Sequence, residues 1–171
     1  RFGRGSIPVV SSWGAADIVS SDEPLNIGRF GLFGDRAANL AIQNADFLLV
    51  IGCRLAFAHT GHRRDLFAPR ARIIMVDIDD AEMDKHGKKV FIKVNEDAGS
   101  FIRRSLEVPS EGGATEWISR CQAWRTRYSM DFEPRESRGV NSFRFIGAIS
   151  AALDENAIVV TDMGTSFTCT F

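Results

Sequence analysis

Two short apolar runs, Phe47–Ile51 and Ile73–Val76, stop at Gly52-Cys53-Arg54 and at Asp77-Ile78-Asp79. A guanidinium offers a planar fork of N–H donors, which suits an anion. A carboxylate is an acceptor for hydroxyl and amide donors. Unbroken runs of this length, rich in Ile, Val and Leu, suit strands covered on both faces, as in a parallel sheet. In an open parallel sheet ligands lie outside the carboxyl ends of the strands. Arg54, Asp77 and Asp79 are therefore where the chain should meet a ligand, whose kind their spacing leaves open.

The elements that must position them read in order along the chain. Ile7–Val10 suits a short inner strand, Ser11–Ser21 a loop. Gly28, Gly31 and Gly34 recur at spacing three, which suits a loop passing close to a ligand or a neighbouring strand. Asp35 stands where an N-cap would, before a helix over Arg36–Asn44. Strands at Phe47–Ile51 and Arg72–Ile78 flank a polar connection with a short helix at Arg63–Phe67. A short helix over Ala81–Lys85, a strand over Val90–Val94 and a helix over Ala98–Glu107 follow, the last capped by the Asn95–Asp97 stretch. Strand–helix alternation favours a doubly wound α/β unit with right-handed crossovers. Val108–Ala114, with Pro109, Gly112 and Gly113, reads as a linker. Thr115–Met130 reads as a helix, Asp131–Gly139 as an extended charged stretch, Phe143–Leu153 as a helix, and Ala157–Thr161 as a new buried strand.

Composition narrows the classes. With 44% hydrophobic and 25% charged residues in 171, the chain is that of a globular protein with one core of ordinary size. A net charge of −1 gives no electrostatic case for nucleic acid or an anionic membrane, and no apolar stretch is long enough to span a bilayer. Cys53, Cys121 and Cys169 are odd in number and far apart, which suits reduced thiols in a cytoplasmic protein. His59, His62 and His86 lie on polar segments without metal spacing and read as surface residues. Trp117 and Trp124 read as a packing stripe. The chain opens on Arg1 and closes on Phe171 in the middle of a strand-to-helix junction, which reads as a fragment.

An ordered set of short motifs carries a resemblance. Ile7-Pro8-Val9-Val10 is followed by Leu25-Asn26-Ile27-Gly28-x-x-Gly31-x-x-Gly34. Ala45-Asp46-Phe47-Leu48-Leu49-x-x-Gly52-x-Arg54, Asp77-Ile78-Asp79 and Glu96-Asp97-Ala98 come next. The set resembles the central domain of thiamine-diphosphate-dependent enzymes of the acetolactate synthase group. Ile158-Val159-Val160-Thr161-Asp162-x-Gly164 resembles the start of that group's C-terminal, diphosphate-binding domain. The resemblance implies a doubly wound parallel sheet of the DHS-like NAD/FAD-binding type, N-terminally truncated, over residues 1–109. A helical linker over 110–140 and the opening of a C-terminal domain over 141–171 complete it. In that group the N-terminal domain supplies a glutamate that activates the thiazolium, and the C-terminal domain binds thiamine diphosphate and Mg2+ through a G-D-G…N stretch. The central domain holds FAD or ADP in some members and nothing in others. This chain contains neither the glutamate's domain nor the G-D-G…N stretch, so no residue of it is assigned to catalysis.

By the resemblance, Arg54 matches the G-x-R arginine that contacts the FAD phosphate or ribose. Asp77 and Asp79 match the acids near the adenosine, and Gly34-Asp35 the start of the first FAD-contacting segment. Asp97 matches an acid of a G-D-A motif, with Glu96 in place of the glycine. Each has a plainer reading: a strand-end ion pair for Arg54, helix caps for Asp79 and Asp97, and a tight turn with an N-cap for Gly34-Asp35. FAD-binding members tend to read F-D-D-R-V-T-G where this chain has Leu55-Ala56-Phe57-Ala58-His59-Thr60-Gly61, which counts against FAD. Gly164, Thr165 and Ser166 stand where the diphosphate contacts begin. Acetolactate synthases proper carry Gln-His there, which points toward another decarboxylase or carboligase. The implied parent makes or breaks a carbon–carbon bond beside a 2-oxo acid carbonyl and is a homo-oligomer. The alternatives are a stand-alone FAD-, ADP- or NAD-binding module, against which the missing G-x-G-x-x-G argues, and a purely structural domain.

Overall fold

The computed structural model describes residues 7–108, 114–129, 139–162 and 164–170. They fall into two compact units, divided between Tyr128 and Ser129.

In the first unit β1 (Val9–Ser11) runs parallel to β2 (Asn26–Arg29), with Val10 opposite Gly28. Helix α1 (Arg36–Asn44) leads to β3 (Phe47–Ile51). That strand pairs in parallel with β4 (Arg72–Asp77), and β4 with β5 (Val90–Asn95), placing Leu49, Ile74 and Ile92 in one row. Short helices α2 (Phe57–Thr60) and α3 (Asp80–Asp84) lie in the connections. Helix α4 (Ala98–Ser105) follows β5, and α5 (Thr115–Arg127) comes last. This is the expected α/β arrangement of a doubly wound domain, with the strands among the described residues divided into a pair and a triple.

Side-chain alternation sorts the strand residues. Leu48, Val50, Ile73 and Met75 turn to one face and pack with Ala38 and Ile42 of α1, Met83 of α3, Leu55, Phe67 and Val90. Full burial of side chains such as Ile73 and Met75 contributes about 1.5–3 kcal/mol each. Helix α1 is apolar on two sides because its small residues come in pairs. Ala38 and Ile42 face the triple sheet, while Ala37 and Ala41 pack with Ile27 of β2 and the fully buried Cys121 of α5. Trp117 and Trp124 flank Cys121 edge to face, 5.7 Å apart, as packing residues. Arg125 donates from Nη1 to Glu23 O at 2.9 Å and from Nη2 to Ser21 O. The helix inside the expected linker therefore packs within the first unit. Residues 109–113 and 130–138, with the linker's Pro109 and the charged stretch, lie outside the described residues.

Several expectations shift. The glycine-rich stretch is not all loop: Gly28 and Arg29 end β2. Arg63–Phe67 is a single 3-10 turn at Arg64–Leu66, and the loop after β1 holds another at Trp13–Ala15. The second unit holds α6 (Ser142–Ala152), capped by Asn141 Oδ1, which accepts from Arg144 N at 3.1 Å, and α7 (Thr165–Thr170). The Cys169 thiol donates to Ser142 Oγ at 3.0 Å. The buried strand expected over Ala157–Thr161 is not formed: Ile158 and Val160 are 91% and 90% exposed. A strand is defined by its ladder, and among the described residues nothing pairs with this run. No helix among the described residues is long and apolar enough to cross a membrane.

Candidate functional site

The carboxyl ends of β3, β4 and β5 lie side by side and deliver four candidates, two of them after β4. After β3, Gly52 turns at φ 58° and donates to Val76 O at 2.9 Å. Leu55 adopts a left-handed φ of 46° while its side chain is buried in the core. That burial holds a backbone conformation an L-residue disfavours by about 1–2 kcal/mol. Between these fixed points the Arg54 side chain is 66% exposed. Its Nη2 donates to Glu82 Oε1 at 2.9 Å, and Glu82 also pairs with Lys85 one turn along. Lys85 first, with Arg54, holds the Glu82 carboxyl below the usual carboxylate range. His86 Nε2 lies 3.1 Å from Arg54 O, and Arg64 donates to Lys85 O at 2.9 Å.

After β4, Asp77 Oδ1 accepts from Asp79 N at 3.0 Å, and Asp79 Oδ1 accepts from Ala81 N at 2.9 Å as the cap of α3. After β5, Asp97 Oδ1 accepts from Ser100 N at 2.9 Å and from its hydroxyl at 3.1 Å, capping α4. Those bonds to Ser100, aided by Arg103, hold the Asp97 carboxyl below the usual range.

Gly34 and Asp35 belong to the β2–α1 connection. The capping role expected of the Asp35 side chain is corrected: it makes no cap hydrogen bond, although the residue holds the N-cap position. Its Oδ2 instead accepts from Arg29 N at 2.7 Å. A donor closer to hand wins because the chain folds back on itself, with Asp35 N on Arg29 O at 2.6 Å. Gly34 is required by that fold-back, since a Cβ there would run into the Arg29 carbonyl and the Phe30 backbone. Asn39 of α1 fixes the next turn by bonding both Gly31 N and Gly31 O.

His62 is exposed, as expected, whereas His59 and His86 are half-buried. His59 lies between Trp13 and Phe30, with ring centroids 4.3 and 5.0 Å away, and both its nitrogens are buried without partners. Burial pushes its pKa down. It borders a cavity of about 280 Å³ with Leu32, Phe57 and Phe67. Glu82 and Asn39 are residues that sequence reasoning passed over, and it read His86 as a surface residue. The only signal for Glu82 was its place three residues before Lys85 on a short helix.

In the second unit Gly164 has φ 95°, Thr165 opens α7, and Ser166 Oγ donates to Asp162 O at 2.7 Å. Among the described residues no three His, Cys, Asp or Glu side chains gather as a metal site.

The family model described as "Thiamine pyrophosphate enzyme, central domain" matches residues 3–104. The chain belongs to this family. Over 94% of its length it is 30% identical to the acetolactate synthase large subunit of Parasynechococcus marenigrum. It is 27% identical over 94% to the isozyme 1 large subunit of Escherichia coli. It is 31% identical over 92% to the probable large subunit of Methanocaldococcus jannaschii. It spans 26–28% of these relatives' own lengths.

In this thiamine pyrophosphate enzyme central domain, the groups left for an outside partner are few. Among the described residues Arg54 spends only Nη2, and the second oxygen of Asp77 has no partner. A guanidinium after one strand and a carboxylate ending its neighbour are groups that could take the phosphate and ribose of a nucleotide. Asp79 and Asp97 already have one oxygen each engaged in a cap.

Proposed function

We propose that this chain is the nucleotide-holding central domain of a thiamine-diphosphate-dependent enzyme that acts on a 2-oxo acid. The parent is a carboligase or decarboxylase resembling acetolactate synthase. Thiamine diphosphate, with Mg2+, would supply the carbanion chemistry when bound. The residues described here bind and orient and do not react. The observation that carries the reading is the exposed Arg54 guanidinium just after β3, with Asp77 ending the neighbouring strand β4. Arg54 would take a phosphate of ADP or FAD and Asp77 a ribose hydroxyl. Asp79, Asp97 and the Gly34-Asp35 turn would shape the strand-end surface rather than bond the ligand. Gly164, Thr165 and Ser166 would offer amides and hydroxyls to the diphosphate of the thiamine cofactor. The parent is a cytoplasmic homo-oligomer in this reading.

A second reading, a spacer that binds no nucleotide, draws on the internal partners that Arg54, Asp79, Asp97 and Asp35 already have. Thermal melting with excess ADP, FAD or NAD separates the two. A ligand that binds only the folded chain stabilises it by about 2.7 kcal/mol at a hundred times its dissociation constant. We expect the midpoint to rise with ADP or FAD and the rise to vanish in Arg54→Ala. No rise with any of the three favours the spacer.

A further inference from the structure

Arg54 and Glu82 form an ion pair whose two halves are held very differently. The Glu82 side chain is only 14% exposed and keeps a second cation, Lys85, on its own helix turn. Losing Arg54 therefore leaves Glu82 paired. The Arg54 side chain is 66% exposed, Glu82 is its sole partner among the described residues, and its backbone is fixed through the carbonyl facing His86. The guanidinium can swing while its anchor stays. With its side chain largely in solvent, the Arg54 end of the pair can open while Glu82 stays in place. An incoming phosphate competes for the same fork of donors, and it meets the negative Glu82 carboxylate beside it.

We propose that Glu82 is a built-in competitor for Arg54, an internal anion that a phosphate-bearing ligand must displace at the carboxyl end of β3. Glu82 thereby sets how tightly the site holds anions and biases it toward ligands with more than one phosphate oxygen to offer Arg54. The inference rests on the nucleotide-holding reading, and the experiment separates the two. Lys85 keeps Glu82 ionised down into the acid range, so the competitor acts across neutral pH.

The test is titration calorimetry of the full chain with ADP, and with inorganic phosphate as the minimal probe, for wild type, Glu82→Gln, Arg54→Gln and the double variant. Glu82→Gln keeps the shape and removes the charge. ADP is expected to bind about three- to five-fold more tightly in Glu82→Gln, and the gain is expected to disappear in the Arg54→Gln background. In NMR of the arginine side chains, rotation about the Arg54 Cζ–Nε bond should be slower in wild type than in Glu82→Gln. If wild type binds ADP through Arg54 but Glu82→Gln binds equally or less tightly, the competitor is refuted and the nucleotide reading stands. If neither protein binds ADP or phosphate, both fall. Equal Cζ–Nε rotation in the two proteins shows that the ion pair does not form in solution and overturns the inference alone.

Discussion

His59 shows how a single side chain can be misread from its neighbours in sequence. Its flanks are polar and no metal spacing surrounds it, yet it fills an aromatic cage between Trp13 and Phe30. Those partners come from 46 and 29 positions away, a juxtaposition that no local pattern reports. The cage has a pH consequence. With its pKa lowered by burial, His59 binds fewer protons folded than unfolded. Stability from this group is full above the unfolded pKa of about 6.5 and falls as pH drops through it. His86, also lowered chiefly by burial, adds a fall of the same sign. The urea midpoint should therefore decline from pH 7 to pH 5, and His59→Phe should decline less steeply. An identical decline in the variant would refute the caged neutral imidazole. Arg54 and Asp77 were legible because their place at strand ends follows from the apolar runs before them. Glu82 was not, because its importance lies in a partner 28 residues away.

At the scale of elements the acids of the strand ends divide by task. Asp79 caps α3 through Ala81 N. Asp79→Ala should cost about 1 kcal/mol in urea denaturation, while Asp79→Asn, which keeps an acceptor oxygen, should cost little. An equal loss in both would mean that the charge rather than the cap matters there. The cap was foreseeable because apolar run, acid and helix occur in that order. The same logic misled at Asp35, whose side chain turned to the amide of Arg29 once the glycine turn had brought it near. At Ala157–Thr161 an apolar run was read as a strand, but hydrogen-bonded pairing needs a neighbour that the run itself cannot provide. Helices α1, α4 and α5 were legible from their periodicity to within a few residues.

At the scale of the molecule, one face of the triple sheet is open over part of its width, although Val76 on that face is fully buried. Phe47, Leu49 and Ile92, alternating with the core-facing residues, are 52%, 44% and 42% exposed. Contiguous apolar surface of this kind seeks cover. The chain should self-associate, its apparent mass in light scattering rising with concentration, and Leu49→Lys should reduce that rise. A constant monomer mass at high concentration would rule it out. The α/β class was readable from strand–helix alternation. The closure of the first unit by α5 was not, because a stripe of Trp117, Cys121 and Trp124 states that a face is buried but not against what.

That closure has a consequence for the order in which the molecule can be made. Gln122 and Arg125 reach back 98 to 104 positions to the carbonyls of Ser21, Glu23 and Pro24. The ribosome emits the chain from its amino end. The apolar cluster around Ile27, Ala37 and Ala41 therefore stays uncovered until α5 has been synthesised. The loop that must then close is long and is entropically expensive to form early. β1 and β2, though made before α5, are thus among the last parts of the unit to be secured.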